Sequence, residues 1–142
     1  MIKQRTQGKS LIVVEDDADD QYFLKTAFVE TGFEPHVLWL DSSKDLFTHL
    51  DAVKDSKELP YAVLLDYNMP VMNGEQTLLE LKKLKRYKDI MILIYSTNMS
   101  DKQIKNLLDA GASGCYIKSF SSSSIIDFAK FLQQKIAEAV FR

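Results

Sequence analysis

LIVVEDD, residues 11–17, sets four consecutive branched apolar side chains directly against three acids. A continuous apolar run reads as a strand covered on both faces, which is what a parallel sheet with helices on each side requires. The same pattern recurs along the chain. Apolar runs stand at Leu11 to Val14, Val37 to Leu40, Ala62 to Leu65, Ile90 to Tyr95 and Tyr116 to Ile117, and each precedes a longer segment of helical spacing. Five βα units with short right-handed crossovers leave few arrangements, and strand order 2-1-3-4-5 is the commonest small one. The expected fold class is therefore α/β, a doubly wound five-stranded parallel sheet.

Helix starts are signposted by pairs three residues apart: Ser42 with Asp45, Ser100 with Gln103, and Ser124 with Asp127. In the last helical segment Ile125, Ala129, Leu132, Ile136 and Val140 form one apolar stripe that should lie on the sheet. Ile126, Phe131 and Phe141 fall off that stripe. The five serines among Ser119 to Ser124 read as a loop entering a helix, and the five positive charges from Lys82 to Lys88 as a solvated helix face.

With 142 residues, 46% of them hydrophobic, the chain makes one ordinary globular domain. Residues 1–9 are expected to be a flexible N-terminal segment and 10–142 a single domain with no output domain. A net charge of −2 gives no bulk attraction to nucleic acid or an anionic membrane, so neither is an expected partner. No apolar run approaches the roughly 20 residues of a membrane span, and Met1 to Ser10 lacks a signal-type stretch. A single cysteine, Cys115, excludes an internal disulfide and fits a reducing compartment, so a cytoplasmic location is expected.

Ligands of a doubly wound sheet bind outside the carboxyl ends of its strands. There the first run is followed by Glu15, Asp16 and Asp17, the third by Asp66, Tyr67 and Asn68, the fourth by Ser96 and Thr97, and the fifth by Lys118. Crowded carboxylates repel one another, and a hard divalent cation compensates them; oxygen donors without a Cys or His cluster favour magnesium over zinc. A carboxylate beside magnesium, with a lysine and a hydroxyl at hand, is equipped to accept a phosphoryl group. Asp66 is the best nucleophile, because it ends a central strand ahead of a loop containing Pro70 and Gly74. Asp17 reads as the cap of the first helix, with Asp19 and Asp20 as acids favouring its positive end.

These residues resemble the receiver domain of bacterial two-component response regulators, the CheY-like fold, over roughly residues 10 to 140. The resemblance is carried by LIVVEDD at 11–17, LLDYNMPVMNG at 64–74, YST at 95–97 and GASGCYIKSF at 111–120. It implies that Asp66 is the phosphoacceptor, that Asp16 holds magnesium directly and Glu15 through water, and that Asn68 adds a backbone carbonyl. It further implies that Ser96 is the hydroxyl that follows the phosphoryl group, that Thr97 offers its backbone N–H to it, and that Lys118 is the conserved lysine. The side chains that tune hydrolysis in the family correspond to Asn68 and Asn98.

Two departures stand out. Ser119 replaces the proline that usually follows the lysine, and a cis bond before serine would cost about 2.5 to 4 kcal/mol, so a trans bond or visible strain is expected. Cys115 occupies the position of the family's switching aromatic, with Tyr116 one place later, so that Tyr95 or Tyr116 is left to substitute. The implied function is a phosphoacceptor switch, not an enzyme beyond slow self-phosphorylation and self-dephosphorylation. Its implied partners are a histidine kinase or histidine phosphotransfer protein and a downstream protein target, with a homodimer through the fourth helix, fifth strand and fifth helix as a further expectation. The alternative is a phosphorylation-independent interaction module on the same fold. A haloacid-dehalogenase-like phosphatase is disfavoured because Asn68 stands where that chemistry needs a second aspartate.

Overall fold

The computed structural model describes residues 9–140. Its elements alternate without exception: β1 (Leu11–Val14), α1 (Ala18–Glu30), β2 (Val37–Leu40), α2 (Ser43–Ala52), β3 (Ala62–Asp66), α3 (Gly74–Lys82), β4 (Met91–Ser96), α4 (Asp101–Asp109), β5 (Gly114–Ile117) and α5 (Ser122–Val140). The strands form one parallel sheet of order β2-β1-β3-β4-β5, as expected. Among the described residues no helix is long and apolar enough to cross a membrane.

Because side chains alternate across a strand, each apolar run feeds two cores. Ile12, Val14, Val63, Leu65, Ile92 and Ile94 face one layer, where they meet Leu46 and Leu50 of α2, Leu78 and Leu81 of α3 and Leu107 of α4. Leu11, Val13, Leu64, Leu93 and Tyr95 face the other, against Leu24 and Phe28 of α1 and Leu132 and Ile136 of α5. Each such side chain, once fully buried, contributes about 1.5–3 kcal/mol, so the sheet is clamped from both sides and its register is strongly specified. The predicted stripe of α5 is buried at Ile125, Ala129, Leu132 and Ile136. Of the residues off the stripe, Ile126 is partly buried and Phe131 meets the Tyr116 ring edge-on at 5.2 Å, while Phe141 lies outside the described residues. The proposed N-terminal segment lies outside them too, except for exposed Lys9.

Two of the three signposted caps hold: the Ser42 hydroxyl accepts from Asp45 N–H, and Ser100 forms a full capping box with Gln103. The third does not. Helix α5 already begins at Ser122, and the Ser124 hydroxyl donates backwards, to the carbonyls of Ser119 and Ser121, instead of accepting from the helix ahead. Nor is Lys82 to Lys88 one solvated helix face. Helix α3 ends at Lys82, a 3-10 turn spans Lys85–Tyr87, and Arg86 donates to the carbonyls of Leu50 and Val53 at the end of α2.

Candidate functional site

Sheet pairing brings the informative side chains together. Glu15 continues β1 for one more step, its N–H bonding the Leu40 carbonyl at 3.0 Å, and its carboxylate turns inward with 0% exposure. Asp16 beside it is exposed, and Asp17 leaves the sheet to cap α1, accepting from the N–H groups of Asp19 and Asp20. Asp66 ends β3 opposite Tyr95, and Ser96 ends β4 opposite Ile117. Lys118 follows, tied in by a 2.7 Å bond from its N–H to the Ser96 carbonyl. Oxygens of Glu15, Asp16 and Asp66 consequently lie within 4.8 Å of one another.

One cation sits among the acids. The Lys118 ammonium lies 2.7 Å from Glu15 Oε1, 2.9 Å from Asp20 Oδ2 and 3.1 Å from Asp66 Oδ2. Burial opposes its charge, but the hydrogen bonds of Glu15 and Asp20 and the charges of Glu15 and Asp66 outweigh that and raise its pKa above the usual lysine range. Glu15 is displaced in the direction expected of a buried acid: desolvation, then the hydrogen bond and charge of Asp66, raise its carboxyl against the opposing pull of Lys118 and Tyr95. The Tyr95 phenol donates to Glu15 Oε1 at 2.6 Å, and burial together with the surrounding carboxylates raises it well above the ordinary phenol value, so it stays a donor.

The loop after β3 closes the site from the other side. Asn68 donates its N–H to Asp66 Oδ1 at 3.0 Å and its side-chain amide to the buried Ser96 hydroxyl at 2.9 Å. Ser96 in turn donates to the Asn98 carbonyl at 3.0 Å. The loop turns back tightly, with Gly74 N–H on the Tyr67 carbonyl at 3.0 Å. A Cβ on Gly74 would stand 2.9 Å from the Tyr67 Cα and 3.0 Å from the Asp66 carbonyl oxygen, so only glycine fits. At the tip Val71 is fully exposed with φ of 67°, a left-handed conformation that a β-branched residue adopts at a cost.

Every residue expected to carry chemistry, namely Glu15, Asp16, Asp66, Asn68, Ser96, Thr97 and Lys118, lies at this carboxyl edge, with Thr97 exposed directly after β4. Glu15, Asp16, Asp66 and Lys118 are brought into one cluster; Ser96 joins it through Asn68. Two members escaped the sequence. Asp20, an acid in the first turn of α1 as expected, also reaches Lys118 from there. Tyr95, expected only as a substitute for the switching aromatic, joins the cluster through its phenol; a hydroxyl on the last residue before the strand-end serine was the signal available.

The structure places the residues of both departures. No peptide bond among the described residues is cis, so Lys118–Ser119 is trans. Cys115 is packed against the α2/α3/α4 layer, whereas Tyr116 lies on the opposite face among Phe128 and Phe131 of α5. Tyr116 also folds over Gly114, where an added Cβ would strike its hydroxyl.

Three carboxylate oxygens so close together, one acid open to water and none accompanied by sulfur or imidazole, suit a small hard divalent cation. The acidic cluster could hold such a metal ion. The family model for the response regulator receiver domain matches residues 11–130. The transcriptional regulatory protein DegU of Brevibacillus brevis is 28% identical over 134 residues, 94% of this chain and 54% of DegU, so the chain spans about half the length of that relative. The chemotaxis protein CheY1 of Helicobacter pylori is 29% identical over 111 residues, 78% of this chain and 86% of CheY1. Among solved structures, the Mn(2+)-bound form of response regulator Rcp1 matches with a TM-score of 0.74 at 17% identity, covering 89% of this chain and 92% of Rcp1.

Proposed function

The chain belongs to the response regulator receiver domain family, and on that footing we propose that it is a magnesium-dependent switch that accepts a phosphoryl group on Asp66. The observation that carries this is the convergence on one nearly buried carboxylate, 4% exposed, of a lysine at 3.1 Å and two further acids. An Asp66 oxygen attacks phosphorus, the bond from phosphorus to the donor's leaving group breaks, and an acyl phosphate forms. Glu15, Asp16 and Asp66, with the Asn68 backbone carbonyl, would hold the metal. When bound, magnesium supplies positive charge to the phosphoryl oxygens. Lys118 would add a second positive charge, and the Ser96 hydroxyl and Thr97 N–H would supply hydrogen bonds. The likeness to Rcp1, a response regulator solved in a Mn(2+)-bound form, supports a metal-binding domain.

The phosphoryl donor in this reading is a histidine kinase or histidine phosphotransfer protein, and the output is altered affinity for a downstream protein target in the cytoplasm. Turnover by the domain itself is limited to slow self-phosphorylation and self-dephosphorylation. Incubation with magnesium and acetyl phosphate should add the mass of one phosphoryl group, labile to hydroxylamine, and Asp66→Asn should abolish it. Undiminished labelling of that variant would overturn the assignment, and a wild-type protein that gains no mass would favour a phosphorylation-independent interaction module.

A further inference from the structure

Glu15 is the most deeply buried acid of the cluster, and its two oxygens are held by three donors: one on β4, one just before α1 and one just after β5. Oε1 accepts from the Tyr95 phenol at 2.6 Å and from Lys118 Nζ at 2.7 Å, and Oε2 accepts from Asp17 N–H at 3.1 Å. Of these three donors Lys118 is the shared one, since it also serves Asp20 and Asp66. The phenol serves Glu15 alone among the hydrogen bonds at the site. Its ring is fixed as firmly as a core side chain: 1% exposed, stacked on Phe128 at 6.1 Å and 16°, and backed by Phe120 at 6.2 Å. Its face also carries Lys118, the ammonium standing 4.5 Å from the ring centroid. One aromatic side chain thus touches both the buried acid and the lysine.

We propose that Tyr95 is a positioning residue of the metal site, holding the Glu15 carboxylate in its binding orientation and leaving Lys118 free to turn toward a phosphoryl group without stranding that acid. The inference deepens the phosphoacceptor reading and rests on it for the second clause only. A carboxylate behind a metal site loses affinity when the donor that orients it is removed, by about tenfold or more. Glu15 deprived of the phenol must share Lys118 more closely, which holds the lysine back and weakens the acid as a metal partner at the same time.

Calorimetric titration of the full chain with magnesium chloride tests the first clause directly. Tyr95→Phe keeps the ring, its stacking and the cation above it, and removes one hydroxyl. Its dissociation constant for magnesium should rise about tenfold, and the rate of phosphorylation by acetyl phosphate at saturating magnesium should fall below that of wild type, because Lys118 is held back by Glu15. Phe128→Leu, which leaves the phenol but loosens the ring, should weaken magnesium binding in the same direction by a smaller factor. A purely structural role predicts lower thermal stability in both variants with unchanged magnesium affinity, and that result would overturn the proposal. So would a wild-type protein that binds no magnesium. A wild type that binds magnesium but takes up no phosphoryl group would defeat the phosphoacceptor reading and leave Tyr95 to be judged by calorimetry.

Discussion

Replacing Lys118 by methionine keeps most of the side chain's apolar length against the Tyr95 ring and deletes the ammonium that balances the acids. The expected cost follows from the burial of what is left behind. Glu15 is 0% and Asp66 6% exposed at their side chains, so neither can recover its lost partner from water. Asp20, 25% exposed, can recover most of it and adds little. Removing one partner of a buried ion pair costs about 3–5 kcal/mol; taking the lower end, because Glu15 keeps the Tyr95 and Asp17 donors and Asp66 keeps the Asn68 N–H, gives about 3 kcal/mol at pH 8 without metal. For a domain of this size that is on the order of 10 °C in Tm.

The loss should depend on pH with a definite sign. Glu15 has its pKa raised above 4.5 in the folded state by burial and Asp66, so its contribution to stability is complete below 4.5 and is lost as pH rises through the raised value. Deleting the cation raises it further. Lys118, raised above 10.5, stays charged at both pH 5 and pH 8 and loses its own contribution only as pH rises through the raised value, so the pH dependence of the deficit comes from the acids. The deficit of Lys118→Met should therefore shrink from pH 8 to pH 5, and millimolar magnesium should recover part of it at pH 8. Urea unfolding followed by far-UV circular dichroism, with and without magnesium, measures all three quantities. A deficit below about 1 kcal/mol, or one identical at both pH values, would refute the reasoning.

The remaining predictions concern the loop that closes the site. Gly74→Ala forces a Cβ against backbone at 2.9 and 3.0 Å and should cost about 2 kcal/mol in urea unfolding, with slower phosphorylation because Asp66 itself is displaced. Val71→Gly should do the reverse: the side chain is 104% exposed, so no packing is lost, and relief of the left-handed strain should outweigh the added unfolded-state entropy by about 0.5–1 kcal/mol in the same assay.

Most of the fold was legible because the information was one-dimensional. Strands β1 and β2 were read with their observed bounds, since a run of four covered apolar residues has few other uses. Strand β5 was read as Tyr116 and Ile117 only, because Gly114 has no side chain to announce it and Cys115 no pattern. The Asn73–Gln76 capping box of α3 was overlooked where serine caps were recognised, although the same reciprocal bonds form. At the site, residues placed by strand ends could be named in advance. Those placed by side-chain reach could not: Asp20 spans from helix to lysine, and Tyr95 presents a hydroxyl from a position that otherwise belongs to the core.

Lys118 is held in place by its backbone bond to β4, one step beyond the last pair of an edge strand. A slip of one residue in that pairing would bring Ile117 or Ser119 to the ammonium's place and send the lysine to the far layer. The acids of β1 and β3 are thus assembled earlier in the chain than the charge that reconciles them. The docking of β5 onto β4 therefore both completes the sheet and brings the acids the charge that balances them.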